Sequence, residues 1–175
     1  MIKRKLLLVI SLTLLSACQT VSLPVPEGFA YYEKASASDI LRAVSPERVI
    51  YRVHRVDAGQ PASLDFWTTA LLTQFKKSGY IIVDQQTVKA GPVSGVSFVM
   101  ATTYNGRDYS YSLNVFVQPK NIILIEAAGE NSQFKKYQRQ LAAAIAQTDL
   151  SQLNCTLCQI RPLSVKTAAK GKSQD

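Results

Sequence analysis

Cys155-Thr156-Leu157-Cys158 sets two thiols at a spacing that several chemistries use. A thiol–disulfide oxidoreductase needs such a pair after a strand and at the start of a helix, where the helix N-terminus lowers the pKa of the first thiol. Here the pair follows the last helical pattern, so that context is missing. A zinc site needs two further ligands; outside this pair the chain offers only His54 and Cys18. Covalent haem attachment needs a histidine directly after the second cysteine, and position 159 is Gln. The favoured reading is a structural disulfide between Cys155 and Cys158 in an oxidising compartment, with a periplasmic thiol–disulfide oxidoreductase as the alternative. Such a disulfide closes a very small loop, so its entropic contribution is modest.

His54 lies among Arg48, Arg52 and Arg55. These residues read either as an anion-binding or pH-sensitive patch, or as the charged, solvated edge of a sheet. With a single histidine no nucleophile–base pair can be nominated from spacing, and the expectation is a protein that is not an enzyme. Gly91-Pro92-Val93-Ser94-Gly95 reads as a flexible loop; it lacks the lysine and following helix of a phosphate cradle. No metal, cofactor or small-molecule substrate is expected. Tyr104, Tyr109 and Tyr111 cluster with Arg107 around one turn, and tyrosine and arginine are favoured in protein interfaces. Tyr109 and Tyr111 fit an apolar core face. Tyr104 and Arg107 are therefore the surface candidates for partner binding, with Arg52 and Arg55 beside them.

The N-terminus bears on the compartment. Met1-Ile2-Lys3-Arg4-Lys5 is basic, and Leu6–Leu15 is an apolar run of ten residues. Ten helical residues span about 15 Å, half of a bilayer's hydrocarbon core, so the run suits a secretory signal and not a membrane span. Leu15-Ser16-Ala17-Cys18 then resembles the lipobox of bacterial lipoprotein precursors. That resemblance implies cleavage after Ala17, lipidation of Cys18 and acylation of the new amino terminus, with residues 1–17 as signal peptide. Several acyl chains make a durable anchor where one holds only marginally. Gln19 after the cysteine, by resemblance to sorting in Gram-negative bacteria, implies the periplasmic side of the outer membrane.

Removal of the signal leaves 158 of 175 residues, enough for one domain with its own core. A hydrophobic fraction of 47% indicates a globular chain. The formal charge of +8, less the three cations Lys3, Arg4 and Lys5, is +5. Lys166, Lys170 and Lys172 of the tail carry three of those charges, so the domain is only mildly basic and a nucleic-acid partner is not expected. Lipid or cell-wall polymer binding through the arginine patch remains an alternative function.

The elements that would position these residues are legible in part. Residues 18–28 read as a lipidated end and short tether, 29–150 as one domain, 151–162 as an extension carrying the cysteine pair, and 163–175 as a basic tail. Phe29–Lys34 suggests a short strand, and Val49–Val56 alternates as another. Ser63 caps a helix whose stripe is Leu64, Trp67, Leu71, Leu72 and Phe75; Lys76, Lys77 and Gly79 close it. Tyr80–Asp84 is the next strand. Val96–Tyr104 and Arg107–Val117 flank Asn105-Gly106, the signature of a type I′ hairpin. That turn pairs Thr102 with Tyr109, Met100 with Tyr111, Phe98 with Leu113 and Val96 with Val115. The opposite face carries Ser97, Ala101, Ser110, Ser112 and Asn114, small and polar, which implies that this face is exposed or covered by a partner. Pro119-Lys120-Asn121 turns into Ile122–Ala127, an apolar strand covered on both faces. A helix over Ser132–Thr148 presents Phe134, Tyr137, Leu141 and Ile145.

This order predicts an α+β fold, an antiparallel sheet flanked by two main helices. It resembles the Mog1/PsbP-like α/β sandwich over about residues 28–150. The members of that group act largely as binding and assembly subunits, so the resemblance implies a protein-binding accessory factor of a cell-envelope complex, held to the membrane by the lipid on Cys18.

Overall fold

A computed structural model describes residues 20–32, 36–60, 62–154 and 159–164. Cys18, Cys155 and Cys158 lie outside the described residues, as does the basic tail from residue 165. The fold is α+β: a fully antiparallel seven-stranded sheet with a helix on each face, and a separate two-stranded parallel ribbon.

In chain order the strands are β1 (Thr20–Val25), β2 (Ala30–Tyr31), β3 (Asp39–Val44), β4 (Ile50–Asp57), β5 (Ile81–Ala90), β6 (Val93–Tyr104), β7 (Arg107–Val117), β8 (Asn121–Glu130) and β9 (Gln159–Ser164). Helix α1 spans Leu64–Lys77, helix α2 spans Asn131–Ala146, and a 3-10 turn follows at Leu150–Asn154. The sheet order is β2-β3-β4-β8-β7-β6-β5. After β4 the chain crosses through α1 to the far edge. It then returns by three hairpins until β8 pairs with β4.

Asn105 and Gly106 both take positive φ (49° and 71°), as a type I′ turn requires. The four cross-strand pairs expected around that turn are all present. Helix α1 begins where Ser63 accepts a hydrogen bond from Phe66 N–H at 3.1 Å, and Gly79 closes it at φ 82°. Ser63→Ala is expected to cost about 1 kcal/mol, measured by urea unfolding, because the first turn loses its side-chain acceptor.

The two faces of the sheet have separate cores. Leu64, Trp67, Leu71, Leu72 and Phe75 of α1 pack on Phe98, Met100, Leu113, Val115, Ile122 and Leu124. On the other face Phe134, Leu141 and Ala144 of α2 meet Tyr51, Val53, Phe116, Ile123 and Ile125. The consecutive residues Ile122–Ile125 thus feed both cores, as a strand covered on both faces must.

Three expectations need correction. Residues 20–25, read as part of a tether, form β1, which pairs in parallel with β9 and buries Val21, Leu23 and Val25 in the α2-side core. Pro24 and Pro162 are tolerated because both strands are edges of a two-stranded ribbon. Residues 91–95, read as a flexible loop, are a two-residue hairpin turn, Gly91-Pro92, followed by the first residues of β6. Gly91 takes φ 64° at the first central position, where II′ hairpins favour glycine. The small polar face of the β6–β7 hairpin is not a bare surface, because α2 lies across it. Ser97, Ser110, Ser112 and Asn114 are buried on the α2 side of the sheet. Asp39–Val44, unassigned from sequence, is β3.

Candidate functional site: a charge cluster on the open half of the sheet

Helix α1 packs on β5, β6 and β7, and no described helix packs substantially on the same face of β3 and β4. Strand alternation puts Arg52 and His54 of β4 on this open half. Across the ladder Arg52 sits opposite Arg42 of β3 on one side and Glu126 of β8 on the other, and His54 is opposite Asp39 and Leu124. The sequence therefore builds a tight charge cluster from three strands.

Asp39 is its anchor. The carboxylate is buried, receives Arg52 Nε at 2.5 Å, stands 3.9 Å from Arg42 and accepts Ser36 N–H at 3.1 Å. Arg52 also reaches Glu126 at 3.5 Å, and Tyr111 O–H donates to the same glutamate. Arg42 in turn stacks over the Tyr32 ring at 4.9 Å. Two guanidiniums thus meet two carboxylates, which leaves little net charge for capturing a free anion.

His54 is only 9% exposed, with Nε2 3.7 Å from Glu126. Burial is the largest influence and lowers its pKa below the ordinary histidine value; Glu126 opposes that shift. Because the unfolded chain takes up the proton first, this group favours folding fully only above about pH 6.5. Stability is expected to fall as pH drops below that value, levelling once the folded histidine is also protonated. Urea unfolding at stepped pH values measures this, and His54→Gln should flatten the slope.

The sequence grouped Arg48, Arg52, His54 and Arg55 as one patch or a charged edge strand. The structure does neither. Strand β4 lies inside the sheet between β3 and β8, so His54 is buried. Arg55 points to the other face, where its Nη2 donates to the Leu153 carbonyl at 2.8 Å. Arg48 sits in the β3–β4 turn at φ 65°. Arg52 and Arg55 therefore cannot meet one ligand. Tyr104 and Arg107 are on the surface at the tip of the β6–β7 hairpin, Tyr104 at 67% exposed; Arg107 pairs with Glu130 at 3.7 Å. Tyr111 packs against Phe75 and Tyr80 in the α1-side core.

Sequence reasoning missed Asp39, Arg42 and Glu126. The signal was faint: Glu126 interrupts an otherwise apolar run from Ile122 to Ala128. Beside the cluster the open half also carries Ile50 at 39% exposed and Val56 at 38%. Among the described residues no group of three or more His, Cys, Asp or Glu is placed to hold a metal ion, and no helix is long and apolar enough to cross a membrane. Among the described residues His54 Nε2 is buried with no hydrogen-bond partner. The arrangement suits recognition by a surface of fixed charges flanked by apolar side chains.

No protein family and no curated protein sequence matches the chain. Similarity appears among solved structures. LpqN of Mycobacterium tuberculosis, described as involved in cell envelope biogenesis, aligns with a TM-score of 0.62 at 15% identity, over 74% of this chain and 81% of LpqN. A Pseudomonas aeruginosa protein of unknown function, PA94, aligns with a TM-score of 0.53 at 10% identity, over 69% of this chain and 95% of its own. Cyanobacterial PsbP from Synechocystis gives 0.46 at 9% identity, over 71% and 82%, a likeness too weak to carry weight. The first two are likenesses of fold alone.

Proposed function

We propose that this chain is an outer-membrane-anchored lipoprotein on the periplasmic side, a non-enzymatic accessory or assembly factor that binds a protein of a cell-envelope complex. The single observation that carries the binding role is the half-open sheet: Ile50 and Val56 are exposed on either side of Arg52 and Arg42, on a face whose other half is covered by α1. An interface core favours such a mixture, apolar area together with arginines already held by partners. The lipid anchor rests on Leu15-Ser16-Ala17-Cys18. The role described for LpqN agrees in kind, and the likeness to it is one of fold.

A photo-crosslinking amino acid placed at Ile50 or Val56, with Lys135 on α2 as control, tests this reading in envelope preparations. One defined protein adduct from the two sheet positions and none from Lys135 is the expected result. Identical adducts from all three sites, or none from any, would refute it. Cys18→Ala is expected to release the chain from the membrane fraction.

A further inference from the structure

On the opposite face a groove runs between α2 and strands β5, β6 and β7, with a volume of about 390 Å³. That lies in the range of small-molecule sites, about 300–1,000 Å³. Its wall on the helix side is mainly apolar, Phe134, Leu141 and Ile145, with Gln138 between them. Its floor is largely polar, built from Ser97, Ser112 and Asn114 beside Val99. A sheet face beneath a helix is ordinarily apolar, so a polar floor there needs a reason.

Asn114 supplies one. Its side chain is 1% exposed, and Nδ2 donates to the Ile125 carbonyl at 3.0 Å and towards Ser112 Oγ at 3.4 Å. The Ile125 carbonyl can only accept, which fixes the orientation of the amide. Oδ1 is then buried with no hydrogen-bond partner. An acceptor in that position is costly unless something donates to it. Among the described residues Lys89 is the only charged one lining the groove, so a cationic donor would find no carboxylate among them.

We propose that this groove binds a small amphiphile whose apolar chain lies against Phe134, Leu141 and Ile145 and whose neutral donor, a hydroxyl or an amide N–H, bonds to Asn114 Oδ1. The ligand fills a face that α2 covers incompletely and supplies the donor that Asn114 Oδ1 lacks. This inference does not rest on the accessory-factor reading, since it concerns the other side of the sheet.

The test titrates the full chain in its Cys18→Ser form, exchanged out of detergent, with 1-octanol, octanamide and methyl octyl ether. The three probes share the apolar chain, and only the ether lacks a donor. Binding is followed by amide NMR, including the Asn114 side-chain resonances. The expected result is saturable binding that shifts Ser97, Ser112 and Asn114, with the better of the two donors about tenfold tighter than the ether. Which donor binds tighter distinguishes a lipid alcohol from an acyl amide as the natural source. Asn114→Leu should erase the preference over the ether. Ala142→Trp, at an exposed position of α2 that lines the groove, should abolish binding while keeping a dispersed, folded spectrum. Equal affinity for all three probes, a preference that survives Asn114→Leu, shifts confined to other surfaces, or no saturable binding would each overturn the proposal.

Discussion

The Gly95→Ala chain is expected to lose about 3 kcal/mol of stability, a large effect for one added methyl group. Gly95 is buried in β6 opposite Phe116 of β7. A Cβ there would press into the Val115 carbonyl oxygen and stand 2.5 Å from Phe116 Cδ1 and 2.8 Å from Cε1. The carbonyl belongs to an inner ladder and cannot swing away as a flexible side chain would. Relief must come from opening the ladder or moving Phe116, which is itself fully buried in the α2-side core. For a domain of this size the melting temperature should fall by roughly 10 °C. Phe116→Ala alone should cost about 4 kcal/mol through the cavity it leaves. In the double variant the two costs should sum to less than the separate values, because the ring half of the clash is gone. Thermal and urea unfolding decide the matter: a Gly95→Ala chain as stable as the parent would mean that residues 91–95 form a loop and not the start of β6.

The second large effect is expected at Asp39. Asp39→Ala removes the anchor of the open-face cluster and strands Arg52, which keeps only the longer contact with Glu126. Breaking a buried ion pair from one side costs about 3–5 kcal/mol. Arg52 is about a third exposed and can turn partly to water, so a loss nearer 2–3 kcal/mol is expected. Arg52→Ala together with Asp39→Ala should cost less than the two single changes added, by about 1–2 kcal/mol, since each single variant leaves an uncompensated charge. Additive losses in that cycle would show that the two residues act independently. The same variants bear on recognition, because Arg52 sits between Ile50 and Val56 on the proposed binding face. Partner crosslinking that survives Asp39→Ala unchanged would place the partner elsewhere.

Much of the fold was legible where neighbours in sequence are neighbours in space. The β6–β7 hairpin reads directly because Asn105-Gly106 sets both the turn and the register. Once that register is set, Phe98, Met100, Leu113 and Val115 fall on one face by alternation alone. Helix α1 reads as well, because Ser63 and Gly79 mark its ends and a 3.6-residue stripe marks its inner side. Ile122–Ile125 shows its double burial in its unbroken apolar run.

Less of the candidate sites was legible, and for one reason: they depend on pairings between distant segments. The sequence by itself determined both helices and the β4, β6, β7 and β8 strands, the α+β class, the modest charge of the domain, and which side chains share a face within one strand. It could not say that β4 lies between β3 and β8, because only closure of the sheet puts Glu126 and Asp39 beside Arg52 and His54. Nor could it pair Thr20–Val25 with Gln159–Ser164, since short proline-bearing segments gain strand structure only from a partner more than a hundred residues away. Arg52 and Arg55, close in the chain, were separated by the two-residue period of the strand once both faces of β4 had neighbours. The polar stripe from Ser97 to Asn114 likewise took its meaning from α2. Until the helix is laid across it, a row of small polar side chains is an exposed surface; beneath the helix it becomes the floor of a groove with one buried acceptor left to fill.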